Sequence, residues 1–384
     1  MAVLNQDVRD DAVVLVVNSG SSSLKLSVVA PDGEALDAAE LAPIGAVSPG
    51  VLDDAVDALR TAAGYRLAAV GHRVVHGGTR FVAPTIVDDA VRAELEDLAA
   101  LAPLHQPKSL AALDTVSRLV PQLPAVACFD TAFHAHLPAA AATYAVPASW
   151  QRRWGVRKYG FHGLSHAWCS RRAAELVDSP TDAVRTVSCH LGSGASLAAV
   201  AGGRSVDTTM GFTPLDGLVM GTRSGSVDPG LVLWLEEHEN LSPHDVASAL
   251  EHHSGLLALT GSADLREIEA RMASGDTRAQ QGFDVFVHRI ATGIGAMAVA
   301  AGGLDVLAFT GGIGEHSPAV RAAVVQQLGF LGAAIDPSAN RAQRLDCDIS
   351  APGTRVRTVV VRAREDVEIA RGTLAALATS PAGR

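Results

Sequence analysis

Residues 13–29 read VVLVVNSGSSSLKLSVV, and this stretch decides the fold. An apolar, β-branched run ends in a turn of glycine and serine, and a second strand-like run with alternating residues follows it. The design returns at residues 185–200, RTVSCHLGSGASLAAV, and the two turns align as NSGSSSL and LGSGASL. This weak internal repeat predicts two related halves, each opening on a β-hairpin.

Helix-like and strand-like stretches alternate around the hairpins. The helix-like stretches are 88–101, 106–119, 231–237, 282–301 and 365–377. The strand-like stretches are 124–129, 305–310 and 355–361. The chain has 384 residues, which is long enough for two or three domains. The alternation predicts an α/β fold of two similar lobes packed closely around a central cleft.

The charge balance disfavours a nucleic-acid partner. The chain carries 41 acidic and 31 basic residues, a formal net charge of −10. An acidic chain repels the phosphate backbone unless it has a basic groove, and only short basic pieces occur here. The apolar run at 290–304 is interrupted by four glycines, so it predicts a buried helix rather than a membrane span.

Cysteine usage and the first residues bear on the compartment. The four cysteines form no CxxC pair, and so few in a chain of this length do not indicate a disulfide framework. The first twelve residues have no apolar segment of the signal-peptide type. The sequence therefore predicts a soluble cytoplasmic protein with reduced thiols.

The small-residue turns suit phosphate binding. Several backbone N–H groups can converge on one phosphate where no side chain beyond Cβ blocks the approach. The two hairpin turns, together with a glycine turn expected at 311–314, favour a nucleotide site; a plain tight hairpin is the alternative for either turn alone. Neither GxxxxGK[ST] nor a strand–GxGxxG–helix pattern occurs, which excludes P-loop and dinucleotide-binding proteins of those types.

Two arginines stand among small residues. Arg73 lies in GHRVVHGG, residues 71–78, and Arg223 lies in GTRSG, residues 221–225. The planar guanidinium binds carboxylate or phosphate through two parallel hydrogen bonds and stays charged. The alternative for each is a structural arginine in a surface ion pair; the surrounding glycines favour anion binding.

Histidines and carboxylates supply the remaining candidates. His162 and His166 have i, i+4 spacing, but no glutamate stands between them, so the HExxH zinc pattern is absent and His162 is expected to donate to phosphate oxygens. Asp130 ends a strand-like run and Glu365 follows another. Mg²⁺ needs only one or two such carboxylates beside a substrate phosphate, whereas a helix N-terminal acid is the alternative for Glu365.

Several segments together resemble the acetokinase family of the actin-like, sugar-kinase and Hsp70-like ATPase superfamily. They run in order from Val14 to Arg371 and read VLVVNSGSSSLKL, GHRVVHGG, LAPLHQP, FDTAFH, YGFHGLSH, CHLGSGASL, MGFTPLDGLVMGTRSG, FTGGIGEHS and REDVEIAR. The combination is specific to the family, although no single piece is.

The resemblance implies an acetate kinase activity, the reversible transfer of phosphoryl from ATP to acetate. It implies that Arg73 holds the carboxylate substrate, that Asp130 is the catalytic aspartate, and that His162 and Arg223 stabilise the transition state. It also implies a homodimer, and ribonuclease H-like lobes. The N-terminal lobe would comprise residues 1–131 and 367–384, and the C-terminal lobe 132–366.

The nucleotide and the metal, Mg²⁺ with Mn²⁺ as the alternative ion, are implied to lie along further motifs. Asn18 and Glu365 match the metal-side residues, and Lys25 matches a nucleotide-side residue. The other nucleotide-contacting residues implied are His190, Leu191, Gly192, Ser193, Gly194, Asp264, Leu265, Arg266, Gly312, Ile313, Gly314, Glu315 and His316. Val75, Leu104 and Pro214 are candidates for a small apolar pocket beside the acyl group.

Three positions depart from the family pattern: Ser193 and His316 each replace an asparagine, and Ser226 replaces an aspartate. None removes a charged catalytic group. A carboxylic acid is already ionised at neutral pH, so transfer to it needs no general base. We therefore expect Asp130 to organise Mg²⁺ or an arginine.

Three alternatives stay open at this point. A propionate or butyrate kinase of the same family would differ only in the acyl pocket. An ATP-binding conformational switch of the actin or Hsp70 type would hydrolyse ATP slowly without a carboxylate acceptor. A structural protein without activity is disfavoured by the density of Gly-Arg and Gly-His motifs.

Overall fold

The computed structural model describes residues 12–20, 23–61, 66–103, 105–342 and 344–379. These residues belong to two compact units. The first contains the chain up to Ala135, a short segment Gly163–Trp168, and the chain from Arg364 onward; the second contains His136–His162 and Cys169–Ala363.

The strands are β1 (Ala12–Ser19), β2 (Leu24–Val29), β3 (Ala35–Leu41), β4 (Arg66–Val74), β5 (Thr85–Ile86), β6 (Ala125–Phe129), β7 (Thr186–Leu191), β8 (Ala195–Ala201), β9 (Arg204–Thr208), β10 (Val306–Thr310), β11 (Cys347–Asp348) and β12 (Arg357–Val360). The helices are α1 (Pro49–Thr61), α2 (Asp89–Asp97), α3 (Gln106–Leu119), α4 (Ala139–Ala142), α5 (Ala148–Trp154), α6 (Gly163–Leu176), α7 (Pro229–His238), α8 (Pro243–His252), α9 (Gly255–Thr260), α10 (Leu265–Ala273), α11 (Thr277–Ala300), α12 (Gly311–His316), α13 (Pro318–Gln327), α14 (Pro337–Arg341) and α15 (Glu365–Thr379).

Each unit contains a six-stranded mixed sheet, and the two sheets repeat one topology. The order is β3-β2-β1-β4-β6-β5 in the first unit and β9-β8-β7-β10-β12-β11 in the second. In each, the opening hairpin and the third strand are antiparallel, the next two strands run parallel to the first, and a short antiparallel strand lies at the edge. The predicted α/β fold of two related halves is confirmed.

Strand β1 is apolar throughout because both of its faces are covered. Val13, Leu15 and Val17 belong to one buried cluster, which includes residues of α1 and α3. Val14 and Val16 belong to a second cluster with residues of α15. Central parallel strands of α/β proteins typically read as continuous apolar runs for this reason.

Helix α15 approaches the first sheet closely at Gly71. A Cβ built on Gly71 would lie 2.4 Å from Thr373 Oγ1 and 2.8 Å from Ile369 Cγ2. Only glycine allows the helix to pack at this distance. The glycine that opens GHRVVHGG is therefore a packing residue.

In the second unit α11 packs against β7, β8 and β9. Its buried face includes Phe283, Phe286, Ile290 and Ile294. Among the described residues this is the one helix whose length and composition would suit a membrane span. The buried face agrees with the buried helix expected from the interrupted apolar run.

Two predicted elements differ from the structure. The predicted helix over 88–101 is α-helical only to Asp97 and continues as a 3₁₀ helix, Leu98–Leu101. Residues 311–314, expected as a glycine turn, begin the short helix α12. Gly311 adopts φ +77°, and a Cβ there would lie 2.7 Å from the carbonyl oxygen of Leu191, so glycine lets the chain leave β10 and coil at once.

Candidate active site

Three predicted site residues meet at one edge of the first sheet. Asn18 lies near the end of β1, Arg73 near the end of β4, and Asp130 directly after β6. These strands are parallel neighbours, and the carboxyl ends of such strands form the usual ligand-binding edge of an α/β sheet. Lys25 pairs with Asn18 across the β1–β2 hairpin, so it lies beside the same edge.

Arg73 and Asp130 form a buried fork. Arg73 Nη2 lies 2.6 Å from Asp130 Oδ2, and Arg73 Nε lies 3.1 Å from both carboxylate oxygens. The Asp130 side chain is 1% exposed and that of Arg73 is 14% exposed. Charge-assisted, two-point pairs of this kind are short and hold both partners in one orientation.

The fork leaves part of the guanidinium for a ligand. Asp130 engages Nε and Nη2, whereas Nη1 makes a long contact of 3.4 Å with the carbonyl oxygen of Ser19. A guanidinium has five N–H donors, so donors on Nη1 and Nη2 can still meet a small carboxylate.

Electrostatics keep this arginine charged. Burial by itself would lower the pKa of Arg73, but the charges of Asp130 and Glu365 outweigh burial and the pKa is raised above its ordinary value. Burial raises the pKa of Asp130, and the Arg73 guanidinium opposes that shift.

Glu365 faces Asn18 from the start of α15. Asn18 Nδ2 donates to Glu365 Oε2 at 2.8 Å, so the Asn18 amide oxygen takes no part in that bond. An amide oxygen and a carboxylate are the hard oxygen ligands that Mg²⁺ accepts, with substrate phosphate and water completing its shell. The donor set fits Mg²⁺. No group of three or more His, Cys, Asp or Glu side chains gathers as a metal cluster within the described ranges.

In the second unit His162 and Arg223 converge on the β7–β8 turn. A Cβ built on Gly194 would lie 3.3 Å from the His162 ring atoms Cε1 and Nε2 and 3.7 Å from Arg223 Nη1. Glycine therefore leaves space at the point where an imidazole, a guanidinium and a backbone turn meet. This arrangement provides the positive charge and the N–H donors that a phosphoryl group requires.

His162 is held in an unusual backbone conformation. It precedes α6 with φ +56°, a left-handed conformation that few residues other than glycine adopt. Its Nδ1 lies 2.9 Å from Ser196 Oγ, and its ring lies 4.3 Å from the ring of His190. His190 and Ser196 pair across the β7–β8 hairpin, so the hairpin fixes the imidazole. Sequence reasoning missed Ser196, although its position opposite His190 could be read from the repeat.

The Arg223 guanidinium is largely buried. Its Nη1 lies 3.5 Å from the carbonyl oxygen of Pro214, and burial lowers the pKa of Arg223 while Glu251 opposes the shift. Burial costs a guanidinium part of its hydration, and an anionic ligand can replace the lost hydrogen bonds.

The other residues predicted to contact the nucleotide include both exposed and buried side chains. Gly312, Ser193 and His316 are exposed, whereas the side chains of Leu191 and Leu265 are buried, so those two could meet a ligand only through their backbone. The structure places these residues on α12, on the β7–β8 turn and at the start of α10.

Glu315 and Asp264 have structural partners. Glu315 Oε1 accepts from the backbone nitrogens of Gly311 and Ala363 at 3.1 and 3.0 Å. Asp264 caps α10 and pairs with Arg266, whose hydrogen bond lowers the pKa of Asp264 to about 2.

Buried Arg321, which the sequence did not single out, fixes α12. Its Nη1 donates to the carbonyl oxygens of Gly314 and Glu315 at 2.8 and 2.9 Å. Its Nε donates to Asn340 Oδ1 at 2.8 Å. A solvent-exposed Arg would look the same in sequence, because the residues around it give no sign of burial.

The apolar pocket predicted for the acyl group is only partly described. Val75 is buried in the first unit and Pro214 is half-buried in the second. Leu104 lies outside the described residues.

Comparison with known proteins gives consistent matches. Residues 47–371 match the family model described as the acetokinase family. A curated protein named acetate kinase from Synechococcus sp. (strain JA-2-3B'a(2-13)) is 48% identical over 305 residues, 79% of this chain and 75% of that protein. The crystal structure of Porphyromonas gingivalis acetate kinase superposes with a TM-score of 0.85 at 35% identity, covering 95% of this chain and all of that one. A propionate kinase from Francisella tularensis superposes with a TM-score of 0.86 at 32% identity, covering 94% and 98%.

Proposed function

The chain belongs to the acetokinase family, and from that premise we propose that it catalyses the reversible, Mg²⁺-dependent transfer of phosphoryl from ATP to acetate. The observation that carries the proposal is the meeting of His162 and Arg223 at Gly194. Phosphoryl transfer places charge on the equatorial oxygens of the moving group, and fixed donors of this kind stabilise that charge.

The reaction balances without a proton. An acetate oxygen attacks the γ-phosphorus in line, the bond to the β,γ-bridging oxygen breaks, and its electron pair leaves on ADP. Acetyl phosphate and ADP result, and the reverse reaction passes the same transition state. Arg223 and His162 donate to the oxygens of the moving group.

Arg73 holds acetate, and Asp130 holds Arg73. Asp130 fixes the guanidinium through Nε and Nη2, and the remaining N–H groups bind the carboxylate. Asp130 needs to remove no proton, because acetate is ionised at neutral pH. Val75, Leu104 and Pro214 would limit the acyl group.

Mg²⁺ would be held by Asn18 and Glu365 together with the nucleotide phosphates. When bound, it neutralises charge on the phosphates as the bond to ADP breaks. Lys25 and the exposed residues of the β7–β8 turn and α12 bind the nucleotide, and Ser193 and His316 belong to that set.

Trapping the product tests the proposal. The purified protein is incubated with ATP, Mg²⁺ and acetate, and acetyl phosphate is captured with hydroxylamine. We expect hydroxamate to form, and to be lost on omission of ATP, acetate or the divalent ion. Absence of hydroxamate with every short acid tested, under conditions where the protein is folded, would contradict the proposal.

Propionate is the second candidate acceptor, favoured by the similarity to a propionate kinase. A methylene group in a small apolar pocket changes binding by about 1–3 kcal/mol, so discrimination would be modest. Comparing kcat/KM for acetate, propionate and butyrate decides between them. A higher value for propionate than for acetate would reassign the acceptor.

We also propose a cytoplasmic homodimer that uses α7. No residue of α7 is buried, although Leu231, Leu233 and Trp234 are among its side chains. Apolar helix faces left exposed in this way usually mark an interface. Sedimentation should give twice the chain mass, and Leu233→Asp should give monomers. A monomeric wild type would refute the dimer.

A further inference from the structure

The loop that carries Arg223 is closed at its base by one hydroxyl group. We call residues 216–226 the Arg223 loop. Ser226 Oγ donates to Asp216 Oδ1 at 2.5 Å and accepts from the backbone nitrogen of Gly217 at 3.0 Å. The Ser226 backbone nitrogen donates to the Gly217 carbonyl oxygen at 3.0 Å. Ser226, the last residue of the loop, is therefore joined to the first two residues by three hydrogen bonds.

Close backbone contacts require glycine at two positions of the loop, one against the opposite limb and one against Thr209 outside the loop. Gly225 has φ +70°, and a Cβ there would lie 2.4 Å from the Leu218 carbonyl oxygen. Gly217 has φ +103°, and a Cβ there would lie 2.8 Å from the Thr209 carbonyl oxygen. Glycine gives no side-chain packing, so the hydroxyl clamp of Ser226 supplies the cross-link at this point.

The far side of the loop is fixed by hydrogen bonds to the backbone of α8 and α9. The Ser224 nitrogen donates to the Leu250 carbonyl oxygen at 2.9 Å. The Leu256 nitrogen donates to the Met220 carbonyl oxygen at 2.9 Å. Thr222 Oγ1 donates to the Glu251 carbonyl oxygen at 2.9 Å. The backbone around Arg223 is therefore held at both the base and the far side of the loop.

The clamp also sets what lies next to Arg223. Pro214 precedes the loop on the limb that Asp216 holds, and its carbonyl oxygen faces Arg223 Nη1 at 3.5 Å. Releasing Asp216 from Ser226 would free this limb to move relative to Arg223. A displacement of about 1 Å in a group that stabilises the transition state can cost on the order of a hundredfold in rate.

We propose that Ser226 is a positioning residue for Arg223, acting through its hydrogen bonds to Asp216 and Gly217. The inference rests on the proposed role of Arg223 in phosphoryl transfer. Ser226 itself is exposed, and we assign it no contact with a substrate. Its removal takes no apolar contact out of the core, so its effect is on geometry.

Three substitutions test the clamp. Ser226→Ala removes the hydroxyl, and we expect kcat to fall about tenfold while KM for acetate and for ATP stays within about twofold. Ser226→Thr keeps the hydroxyl and should restore kcat to within about twofold of wild type. Ser226→Asp places a second carboxylate against Asp216 and should lower kcat at least as much as Ser226→Ala.

Ser338→Ala is the matched control. Ser338 Oγ also donates to an aspartate, Asp336, on the surface of the same unit but outside the loop. We expect kcat unchanged in this variant. Melting temperatures of all variants should stay within about 2 °C of wild type, because exposed polar substitutions change stability little.

A double-mutant cycle separates positioning from other effects. In an Arg223→Ala background, Ser226→Ala should cause no further loss of kcat, since the residue it positions is gone. An equal fall in both backgrounds, a rise in KM without a fall in kcat, or no rescue by Ser226→Thr would overturn the inference.

The two failures are distinguishable. If the wild type forms acetyl phosphate and Arg223→Ala is impaired, but Ser226→Ala matches wild type, the clamp is refuted and the proposed function stands. If the wild type forms no acyl phosphate, both are refuted.

Discussion

Arg73 and Asp130 form a two-point ion pair in which the two side chains have different roles. The acid is almost fully buried and both its oxygens accept from the arginine. Acetate is ionised at neutral pH and offers no proton for a base to remove. We therefore interpret Asp130 as the residue that orients this arginine, one of the two roles expected from the sequence.

Asp130→Asn should lower kcat at least a hundredfold, because the amide cannot hold the guanidinium by two charge-assisted bonds. The loss should be the same from pH 7 to pH 9, since no proton transfer is being replaced. Steady-state assays across that range check this. Asp305→Asn, which breaks a comparable fork to Arg185 with a 2.6 Å bond, is the control and should leave kcat unchanged. Recovery of activity at high pH would contradict the assignment.

His72, next to the arginine, makes stability depend on pH. It is 1% exposed, neither ring nitrogen has a hydrogen-bond partner among the described residues, and burial lowers its pKa to about 3, although Asp114 opposes the shift. The unfolded chain takes up a proton near pH 6.5, and the folded chain does not. Stability is therefore intact above pH 6.5 and falls by about 1.4 kcal/mol per pH unit down to about pH 3.

Denaturant unfolding of His72→Leu at pH 7.5, 6.5 and 5.5 checks this slope. Between pH 6.5 and 5.5 we expect the variant to lose less unfolding free energy than the wild type. The difference should correspond to the uptake of about one proton by the unfolded chain. Thr292→Ala, at an exposed position and without a titratable side chain, should keep the wild-type slope. Identical slopes in wild type and His72→Leu would refute the account.

Sequence patterns could identify Arg73 and Arg223 but not their partners. Glycines on both sides marked each arginine as close to a ligand or to another backbone. The alignment of Asp130 with Arg73 depends on the pairing of β4 with β6, and the clamp at Ser226 depends on two limbs nine residues apart folding together. Pairings between distant segments leave no local signal.

At the scale of elements, α15 packs closely against β4 at Gly71. Gly71→Ala should destabilise the protein by about 1–3 kcal/mol, because the methyl group would overlap Thr373 and Ile369 and the helix would have to move. Thermal unfolding measures the loss. Gly45→Ala, where no atom lies within 4 Å of the built Cβ, is the matched control. An unchanged melting temperature for Gly71→Ala would contradict the prediction, because it would show that α15 can move without a loss of stability.

Hairpins and core helices were predictable because their periodicity is strong. The β1–β2 hairpin, α3 and α15 formed close to the predicted ranges. The helical turn at residues 311–314 could not be predicted, because glycine has low helix propensity. Contacts with residues beyond the turn stabilise it. Arg321 and Glu315 hold the helix by bonds to its backbone, which is tertiary structure overriding propensity.

At the scale of the molecule, the thiols are protected by burial. Cys128, Cys169 and Cys189 are buried, and burial raises the pKa of Cys128 and of Cys169 to about 12. All four cysteines are free. The thiolate is the reactive form, so these three should be inert in the folded protein.

Titration with a thiol reagent checks this. The native protein should show at most one fast-reacting thiol, Cys347, and four after denaturation. Kinase activity should not depend on added reductant. Two or more fast thiols in the native protein would show that a buried cysteine is accessible.

The bond between Asn18 and Glu365 joins residues 347 positions apart in the chain. Ribosomes add about 5–20 residues per second, so the asparagine emerges roughly 20 to 70 seconds before its carboxylate partner. Throughout that interval the first sheet lacks the helix that covers one of its faces, while the second unit can complete its own core. During synthesis, one face of the first sheet is therefore open to aggregation. That face is covered only when α15 has been made and has packed onto it.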